Sequence, residues 1–545
     1  MSDDRPLVQE CGLLQRGRRH VRRRQRRWIG DFEGLTGRLD YLANLNITCI
    51  WLLPFYPSPN RDNGYDVTDF YGVDSRLGTL GDFVTFAREA RERGLRIIVD
   101  LVVNHTSIDH PWFQQARRDP NSVYRDYYVW ADSKPDNADE GMVFPGQQES
   151  TWTYDDEAGA WYFHRFYAHQ PDLNVANPAV REEIAKIMSF WLQLGVSGFR
   201  VDAVPFLIEL RGIDAPELRP EQFLEEFRTY LSWRQGDAVM LAEANVGPEE
   251  VEGYFGTGDR LQVMFNFWAN QHLFLALTTQ ESAPLLEAYR QLPNLPGVCQ
   301  WANFLRNHDE LDLGRLTEEQ RNRVFDAFGP DPDMQLFGRG IRRRLAPMLG
   351  GDRRRIELAY SLILTLPGSP VFWYGEEIGM GDMLELEGRN SVRTPMQWSA
   401  ERNAGFSNAP PDRLIRPVVE EGPFAFSNVN VERQLREPHS LLNWIEGALR
   451  ARREAREFGW GACEFLAVET DAVLAHRCQY KDSSVLILHN LSDREQPVSV
   501  PLRNGCAARD LLSKDDEPVA HEALDLVLPP FGYRWFREAQ VREQE

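Results

Sequence analysis

Residues 198–203 read GFRVDA, a short apolar run that carries Arg200 and ends at Asp202. Side chains two residues apart point to the same face of a strand, so Arg200 and Asp202 are expected to share a face. A short strand followed by a longer helical pattern is the repeating unit of a parallel α/β sheet. The segment therefore predicts a strand of such a sheet, with Asp202 at its carboxyl end.

The same unit recurs along most of the chain. Seven short apolar runs end in polar or charged residues, and longer helical patterns separate them. This repetition predicts an α/β fold, a (β/α)8 TIM barrel with its active site at the carboxyl ends of the strands. The first barrel strand is missing from the count, and we expect that it has been lost. The predicted strands are 49–53, 96–101, 198–201, 239–242, 261–267, 298–304 and 371–374.

Two insertions and a second domain interrupt or follow the barrel. Residues 106–172 are rich in Trp, Tyr, Asp and Pro without a helical period, so we expect an inserted domain between two barrel parts, 29–105 and 173–454. A stretch at about 310–350 carries acidic and Arg-rich segments and predicts a lid. From 455 to 545 the period becomes two, which predicts a C-terminal antiparallel β-sandwich.

Composition narrows the cellular setting. The 545 residues are 42% hydrophobic and 26% charged, with a net charge of −21, which argues against nucleic acid as a partner. No apolar run reaches the roughly 18 residues of a membrane helix, and no signal peptide is expected. We expect a cytoplasmic protein that does not bind membranes; a homo-oligomer is left open. The six cysteines lack CxxC spacing, so neither a zinc site nor a disulfide framework is indicated.

Three carboxylates follow predicted strands: Asp202, Glu243 in LAEAN and Asp309 in RNHDE. Each alone could be an ordinary acid at a strand end, but Arg200 and His308 accompany them. Cleavage of a glycosidic bond needs an acid for the leaving oxygen and a carboxylate that captures the oxocarbenium ion. We expect Arg200 to hold Asp202 ionised, while the surroundings of Glu243 raise its pKa.

Six motifs carry a resemblance to a known family. DLVVNH (100–105), GFRVDA (198–203), the Glu243 segment and RNHDE (306–310) resemble the four signature regions of glycoside hydrolase family 13, the α-amylase superfamily. QPDLN (170–174) and RTPMQW (393–398) are similar to its α-glucosidase and trehalose synthase branch. The resemblance implies that Asp202 is the nucleophile, Glu243 the acid/base and Asp309 the third carboxylate.

The same resemblance implies the sugar-binding residues. Tyr65 would stack under the sugar at the cleavage subsite, and His105 and His308 would hold its hydroxyls. Asp66 would pair with Arg393 and close the pocket at the nonreducing end. A pocket blocked in this way fits disaccharides better than internal cleavage of starch.

Within the branch, four stretches resemble trehalose synthases, which isomerise maltose and trehalose: CQWANFLRNHDELDL (299–313), GIRRRLAPML (340–349), LPGSPVFWYGEEIGMGD (366–382) and VRTPMQWSAERNAGFS (392–407). The resemblance implies that released glucose, instead of water, attacks the glucosyl–Asp202 intermediate, so the lid and the inserted domain must exclude solvent. Family members carry Gln-Trp where this chain has Val246 and Gly247, which puts the acceptor side in doubt. Hydrolysis by an α-glucosidase or α-amylase is the alternative. A noncatalytic barrel is another, which the three acids disfavour.

For cofactors, the resemblance implies structural Ca²⁺ and no organic cofactor. The implied ligands are oxygens from three separate segments, a type of donor that Ca²⁺ prefers. The alternative without a metal is that Asn104 and Asp172 only form hydrogen bonds with neighbouring loops. The implied ligands are Asn104, Asp172, Phe206, Leu207 and Glu209.

The chain begins with a segment unlike the family. Residues 16–27 carry eight Arg and no acid, a pattern typical of a basic arm. Reading back-translated codons of 7–27 one base later permits an aromatic-Lys-Asn strand and a Gly/Asp/Asn loop, the beginning that family members have. We therefore expect residues 1–28 to be an out-of-frame translation, with a functional basic arm as the alternative.

Overall fold

The computed structural model describes residues 13–16, 30–144, 146–207, 209, 219, 221–503, 506–513, 519–520 and 523–540. Of the predicted aberrant segment 1–28, only 13–16 belongs to this part of the chain. The out-of-frame hypothesis otherwise lies outside the described residues and stays a prediction.

Eight parallel strands form a closed barrel, which confirms the predicted fold class. All seven predicted strands are present, with ends that shift by no more than two residues. The side chains of the second to eighth strands are mostly buried, because helices cover the outside and the strands' inner side chains fill the barrel. In chain order the strands are Leu13–Arg16, Cys49–Leu52, Arg96–Leu101, Gly198–Val201, Val239–Ala242, Val263–Phe265, Gln300–Phe304 and Ser369–Trp373.

The expectation that the first barrel strand is lost is wrong at the level of the backbone. Residues Leu13–Arg16 pair in parallel with both neighbours: Leu14 lies opposite Ile50 of the second strand and Phe372 of the eighth. A closed barrel needs every strand to pair on two sides, and this segment fills the first position.

Helices with clear start signals connect the strands. Thr79 and Asp82 form a capping box at the start of Leu80–Glu92. The helix Pro178–Gln193 begins with an Asn177 cap and a proline and buries one apolar face that ends at Trp191. The helices from the barrel layer to the start of the C-terminal domain are Phe32–Thr36, Leu39–Asn44, Leu80–Glu92, Pro178–Gln193, Val204–Leu207, Glu221–Arg234, Val251–Phe255, Phe267–Thr279, Ala283–Gln291, Leu345–Met348, Arg353–Thr365, Val431–Arg436, Leu441–Glu454 and Glu457–Trp460.

The segment 106–172 forms a small layer of its own. It contains the helix Pro111–Arg118 and a three-stranded antiparallel sheet of Trp130–Ala131, Ala160–Phe163 and Trp152–Asp155. Phe113 of the helix stacks on Trp130 and meets Tyr162 edge to face, which joins helix and sheet. The stretch 310–350 holds the helix Glu318–Phe328 and a second three-stranded sheet, Leu311–Asp312, Gly340–Ile341 and Gln335–Leu336.

The C-terminal region is made of antiparallel sheets, as predicted. A six-stranded sheet and a two-stranded sheet enclose an apolar cluster that includes Leu486, Leu488, Val500 and Leu524. Its strands are Ala462–Leu466, Val473–Tyr480, Ser483–Asn490, Gln496–Pro501, Cys506–Asp510, Val519–Ala520, Ala523–Leu528 and Tyr533–Gln540. Within the described ranges, no helix is both long and apolar enough to cross a membrane.

Candidate active site

A cavity of about 470 Å³ opens where the barrel strands end. This size is typical of a site for a small molecule. Barrel loops, the inserted segment 106–172 and the stretch 310–350 all contribute to its wall. The residues that line the cavity include Asp62, Tyr65, His105, Phe144, Phe166, Arg200, Asp202, Phe206, Glu243, Val246, His308, Asp309, Glu310, Arg389 and Arg393.

Strand register places Asp202 and Glu243 side by side. Val201 and Ala242 are partners in the parallel pairing of the fourth and fifth strands, and the two acids are the next residues of each strand. Neighbouring strands lie about 4.8 Å apart, so the two carboxylates leave the barrel next to each other. The sequence prediction that these acids converge agrees with this register.

The buried Arg200 guanidinium contacts three carboxylates. Its Nη1 binds Asp202 and lies 3.2 Å from Asp100 Oδ1, while its Nη2 binds Glu243. We expected Arg200 to hold Asp202 ionised. Instead it is shared, so its charge by itself does not separate the protonation states of Asp202 and Glu243.

Burial raises the pKa of both acids. Desolvation raises the pKa of Asp202 to about 6, although Arg200 lowers it. Desolvation raises the pKa of Glu243 to about 7; Arg200 again lowers it, and the Asp202 charge raises it. Near neutral pH, Asp202 is therefore mostly ionised while Glu243 keeps a large protonated fraction, as the sequence reasoning requires.

Asp309 has a different environment, dominated by cations. Its Oδ1 lies 2.8 Å from Arg393 and 3.1 Å from Arg389, and His308 Nε2 is 3.2 Å from its Oδ2. Burial opposes ionisation, but the Arg389 and Arg393 guanidinium groups hold the pKa of Asp309 well below its usual range. Burial lowers the pKa of His308 well below its ordinary value, so near neutral pH its ring adds no charge. Asp309 is thus a permanently ionised acceptor.

Tyr65 and His308 form one wall of the cavity. Their rings are nearly parallel, with centroids 6.0 Å apart, and the Tyr65 hydroxyl lies 3.0 Å from His308 Nε2. The same hydroxyl donates to Asp100 Oδ2 at 3.0 Å, and Trp51 Nε1 donates to Asp100 Oδ1 at 2.9 Å. This network fixes the Tyr65 ring where a sugar could stack on it.

His105 offers an unused ring nitrogen. It is buried, its ring meets Phe166 edge to face at 5.2 Å, and its Nε2 has no hydrogen-bond partner within the described part of the chain. Burial lowers the pKa of His105 to about 4, so the ring is neutral. A neutral imidazole with an unpaired nitrogen at the cavity wall is suited to a sugar hydroxyl.

The predicted pair of Asp66 and Arg393 is not formed. The Asp66 carboxylate accepts hydrogen bonds from the Ser58 hydroxyl at 2.7 Å and the Arg61 backbone N–H at 3.0 Å, whereas Arg393 binds Asp309. Asp62, four residues earlier, lines the cavity instead. Burial raises its pKa, and Gln170, Arg389 and Arg393 lower it.

Besides Asp62, the sequence prediction missed two residues of the charged cluster around Asp202 and Asp309, namely Asp100 and Arg389. Asp100 is the next-to-last residue of the third barrel strand and lies opposite Arg200 in the pairing of the third and fourth strands, so its position in DLVVNH was a usable signal. Arg389 lies four residues before Arg393 in the turn Gly388–Val392. Nothing in the local sequence pattern marks Arg389 as part of the cavity.

The residues predicted to bind calcium come from three segments beside the cavity, and Phe206 is part of the cavity wall. Asn104 Nδ2 is 3.1 Å from Asp172 Oδ2, and the Arg165 backbone N–H donates to Asp172 Oδ1 at 2.9 Å. The Arg165 guanidinium binds Glu209, and the Glu209 N–H donates to the Phe206 carbonyl at 3.3 Å. Leu207 ends the short helix Val204–Leu207 beside them.

These residues fit a hard cation in their chemistry. Burial, with a smaller contribution from the Glu209 charge, raises the pKa of Asp172 to about 7, although Arg165 and Asn104 lower it, so the carboxylate lacks full compensation from its surroundings. Exchanging the amide nitrogen and oxygen of Asn104 would turn a second oxygen toward the same point.

The fold and the cavity define a (β/α)8 barrel with three carboxylates at one mouth, the arrangement of a glycoside-processing enzyme. The family model "Alpha amylase, catalytic domain" matches residues 18–327 and 341–461, and "Maltogenic Amylase, C-terminal domain" matches 463–535. The chain belongs to the α-amylase family, glycoside hydrolase family 13.

Individual relatives place the chain more closely. It is 45% identical to a trehalose synthase of Thermus thermophilus over 93% of this chain, but spans only 53% of that protein. It is 43% identical to the trehalose synthase/amylase TreS of Mycolicibacterium smegmatis over 95% of this chain and 89% of that protein. The crystal structure of an α-amylase from H. orenii superimposes with a TM-score of 0.79 at 27% identity, covering 97% of this chain and all of that one.

Proposed function

We propose that the chain is a retaining glucosyl transferase that isomerises maltose and trehalose through a glucosyl–Asp202 intermediate. The main support is the placement of Asp202 and Glu243 side by side by the strand register, with both carboxylates bound to the Arg200 guanidinium. The pKa of Glu243 is higher than that of Asp202, which suits Glu243 as the acid. Retaining enzymes need closely spaced carboxylates, because one attacks the sugar directly, without an intervening water. The relatives named trehalose synthase supply the choice of substrate.

In the first half of the reaction, Asp202 attacks the anomeric carbon of the nonreducing glucose. The bond to the bridging oxygen breaks, and Glu243 gives its proton to that oxygen, which leaves as the 4-hydroxyl of free glucose. Glu243 is then ionised and can act as a base. Tyr65, His105 and His308 surround the cavity in positions where they can hold the ring and its hydroxyls.

In the second half, the released glucose turns so that its anomeric hydroxyl faces the intermediate. Glu243 takes the proton of that hydroxyl, the oxygen attacks the anomeric carbon, and Asp202 leaves, which yields trehalose. The glucose must stay in the cavity during this step. Phe144 and Phe166 from the segment 106–172 contribute apolar wall there, as Val246 does from the barrel.

A product assay tests the acceptor. Purified chain is incubated with maltose, and trehalose, maltose and glucose are separated and quantified over time. The proposal expects trehalose as the main product, with glucose as a minor one. Glucose alone would show that water is the acceptor, and the chain would then be an α-glucosidase instead of an isomerase. The name "trehalose synthase/amylase" of one relative also points to hydrolysis as the alternative.

Covalent trapping tests the two roles. With α-glucosyl fluoride, Glu243→Gln is expected to accumulate an adduct one glucosyl unit heavier than the protein, because the fluoride leaves without acid help. Asp202→Ala is expected to show neither adduct nor turnover. Glu319→Gln, an exposed carboxylate on the helix Glu318–Phe328, is the control and should behave like the unmodified chain. An adduct on Asp202→Ala would overturn the assignment.

We propose in addition that Asn104, Asp172, Glu209 and the carbonyl oxygens of Phe206 and Leu207 hold Ca²⁺. The ion would supply a structural link between the inserted segment and the barrel, not a chemical step. Thermal melting in calcium and in a calcium chelator tests this, and Asp172→Asn should remove the difference between the two melts. Equal melts of the unmodified chain in both buffers would overturn the proposal.

A cytoplasmic location is also part of the proposal. Its support is that the cysteines at the five described positions are free thiols, as is usual in a reducing compartment.

A further inference from the structure

Strand pairing brings two cysteines and a histidine together far from the catalytic cavity. In the C-terminal sheet, Cys463 lies directly opposite Cys478, and His476 is two residues along the same strand as Cys478. Because alternate residues point to one face of a strand, all three side chains share a face. One ligand atom from each lies within 4.8 Å of the others.

This face packs against the barrel helix Arg353–Thr365. The Thr365 carbonyl is 3.2 Å from His476 Nε2 and 3.7 Å from Cys478 Sγ. His476 and Cys478 are buried, and Cys463 is half-buried, so the cluster is reachable from its Cys463 side. The position is the joint between the C-terminal sheet and the barrel.

The imidazole has one nitrogen to spare. A carbonyl only accepts hydrogen bonds, so His476 Nε2 must carry the proton that it donates to Thr365. Its Nδ1 is buried and has no hydrogen-bond partner among the residues that the structure describes. Buried polar atoms without partners are uncommon, and a ring held through its other nitrogen by a carbonyl is the usual state of a metal-binding histidine.

We propose that Cys463, His476 and Cys478 form a zinc site with an open fourth position. Two thiolates and an imidazole are typical zinc ligands, and carboxylates, which would favour calcium or magnesium, are not part of the cluster. Binding would release the two thiol protons, and two thiolates balance the charge of Zn²⁺. A water molecule from the Cys463 side would complete a tetrahedral set.

A Cys463–Cys478 disulfide is the competing use of the same pair. The structure has both as free thiols, and a disulfide would leave His476 Nδ1 without a partner. The spacing in the sequence gave no sign of either possibility, since 14 residues separate the two cysteines and neither lies in a CxxC motif. Only antiparallel pairing of the strands Ala462–Leu466 and Val473–Tyr480 makes them neighbours.

Metal content is the first test. The full chain, purified under reducing conditions, is stripped with a chelator, reloaded with zinc, passed over a desalting column and measured for bound metal. We expect about one zinc per chain in the unmodified protein and in Cys506→Ser, a matched control from the same sheet. Cys463→Ser, Cys478→Ser and His476→Ala should each bind zinc at least about tenfold more weakly.

Two further measurements do not depend on whether these variants fold. Co²⁺ loaded into the unmodified chain should show thiolate charge-transfer absorption, and zinc should raise its melting temperature. No bound zinc and no cobalt absorption in the unmodified chain would overturn the proposal, as would a mass two units lower that shows a disulfide in place of metal.

Discussion

Replacing Arg389 with glutamine should remove the most connected cation at the rim of the cavity. Arg389 lies 3.1 Å from Asp309 Oδ1 and donates to Glu310 at 2.6 and 3.2 Å. Its guanidinium also lies over the rings of Phe144 and Phe337, at 5.3 and 5.6 Å from their centroids. One side chain therefore joins the third carboxylate to the segment 106–172 and the stretch 310–350.

The size of the effect follows from these contacts. Two unit charges about 3 Å apart interact by about 5 kcal/mol at an effective dielectric constant of about 20. Arg393 still holds Asp309 at 2.8 Å, and Arg389 itself is 26% exposed, so water replaces part of the lost interaction. A net loss of about 3 kcal/mol is expected, which corresponds to roughly a 100-fold decrease in kcat/KM.

The assay is the initial rate of trehalose and glucose formation from maltose, with kcat and KM determined separately. Arg389→Lys keeps the charge but cannot hold Glu310 through two nitrogens, so it should recover only part of the activity. Arg433→Gln removes an exposed ion pair on the helix Val431–Arg436 and should change nothing. If Arg389→Gln stays within about threefold of the unmodified chain, the argued electrostatic role is wrong.

Three other perturbations have definite outcomes. Turnover should be bell-shaped in pH: kcat/KM falls below the Asp202 pKa of about 6, where the nucleophile is protonated, and above the Glu243 pKa of about 7, where the acid is lost; a profile that is flat on both sides contradicts this. Trp191→Ala empties the buried contact with Phe55 and Phe83 and should lower the free energy of unfolding by about 3–5 kcal/mol, measured with urea. Replacing residues 7–28 by the one-base-shifted reading should raise solubility, melting temperature and maltose turnover; equal melts and turnover would leave the Arg-rich segment as a real arm.

The barrel was predictable because each of seven strands carries its own signal, an apolar run with a polar end. Leu13–Arg16 carries almost none: four residues, LLQR, next to a run of arginines. Its place is set by pairing with the strands Cys49–Leu52 and Ser369–Trp373, which leave one position open between them. Strand formation of this kind depends on tertiary context more than on local propensity.

In the candidate site, too, the residues with a local sequence signal could be predicted, and those placed by tertiary contacts could not. Asp202 and Glu243 directly follow strands, so barrel geometry alone brings them to one mouth. The sequence prediction placed Asp66 at the cavity, whereas Asp62 lines it. The two aspartates lie four residues apart in one turn, and Asp66 binds Ser58 and Arg61 instead. Gln170, from a distant segment, donates to Asp62 at 2.9 Å and helps to hold it there, a contact that no local pattern contains.

The chemical difference among the three carboxylates follows from how many cations contact each one and how many other acids share those cations. Arg389 and Arg393 both contact Asp309, which stays ionised in spite of its burial. Within the described part of the chain, Glu243 forms an ion pair only with Arg200, which also contacts Asp202 and Asp100, so desolvation prevails and the pKa of Glu243 rises. Residue type does not decide these roles, because Asp202 and Asp309 are both aspartates with opposite pKa shifts. Glu243 can therefore act as a proton donor because three buried acids share the single charge of Arg200. Asp309 remains a hydrogen-bond acceptor because two arginines contact it.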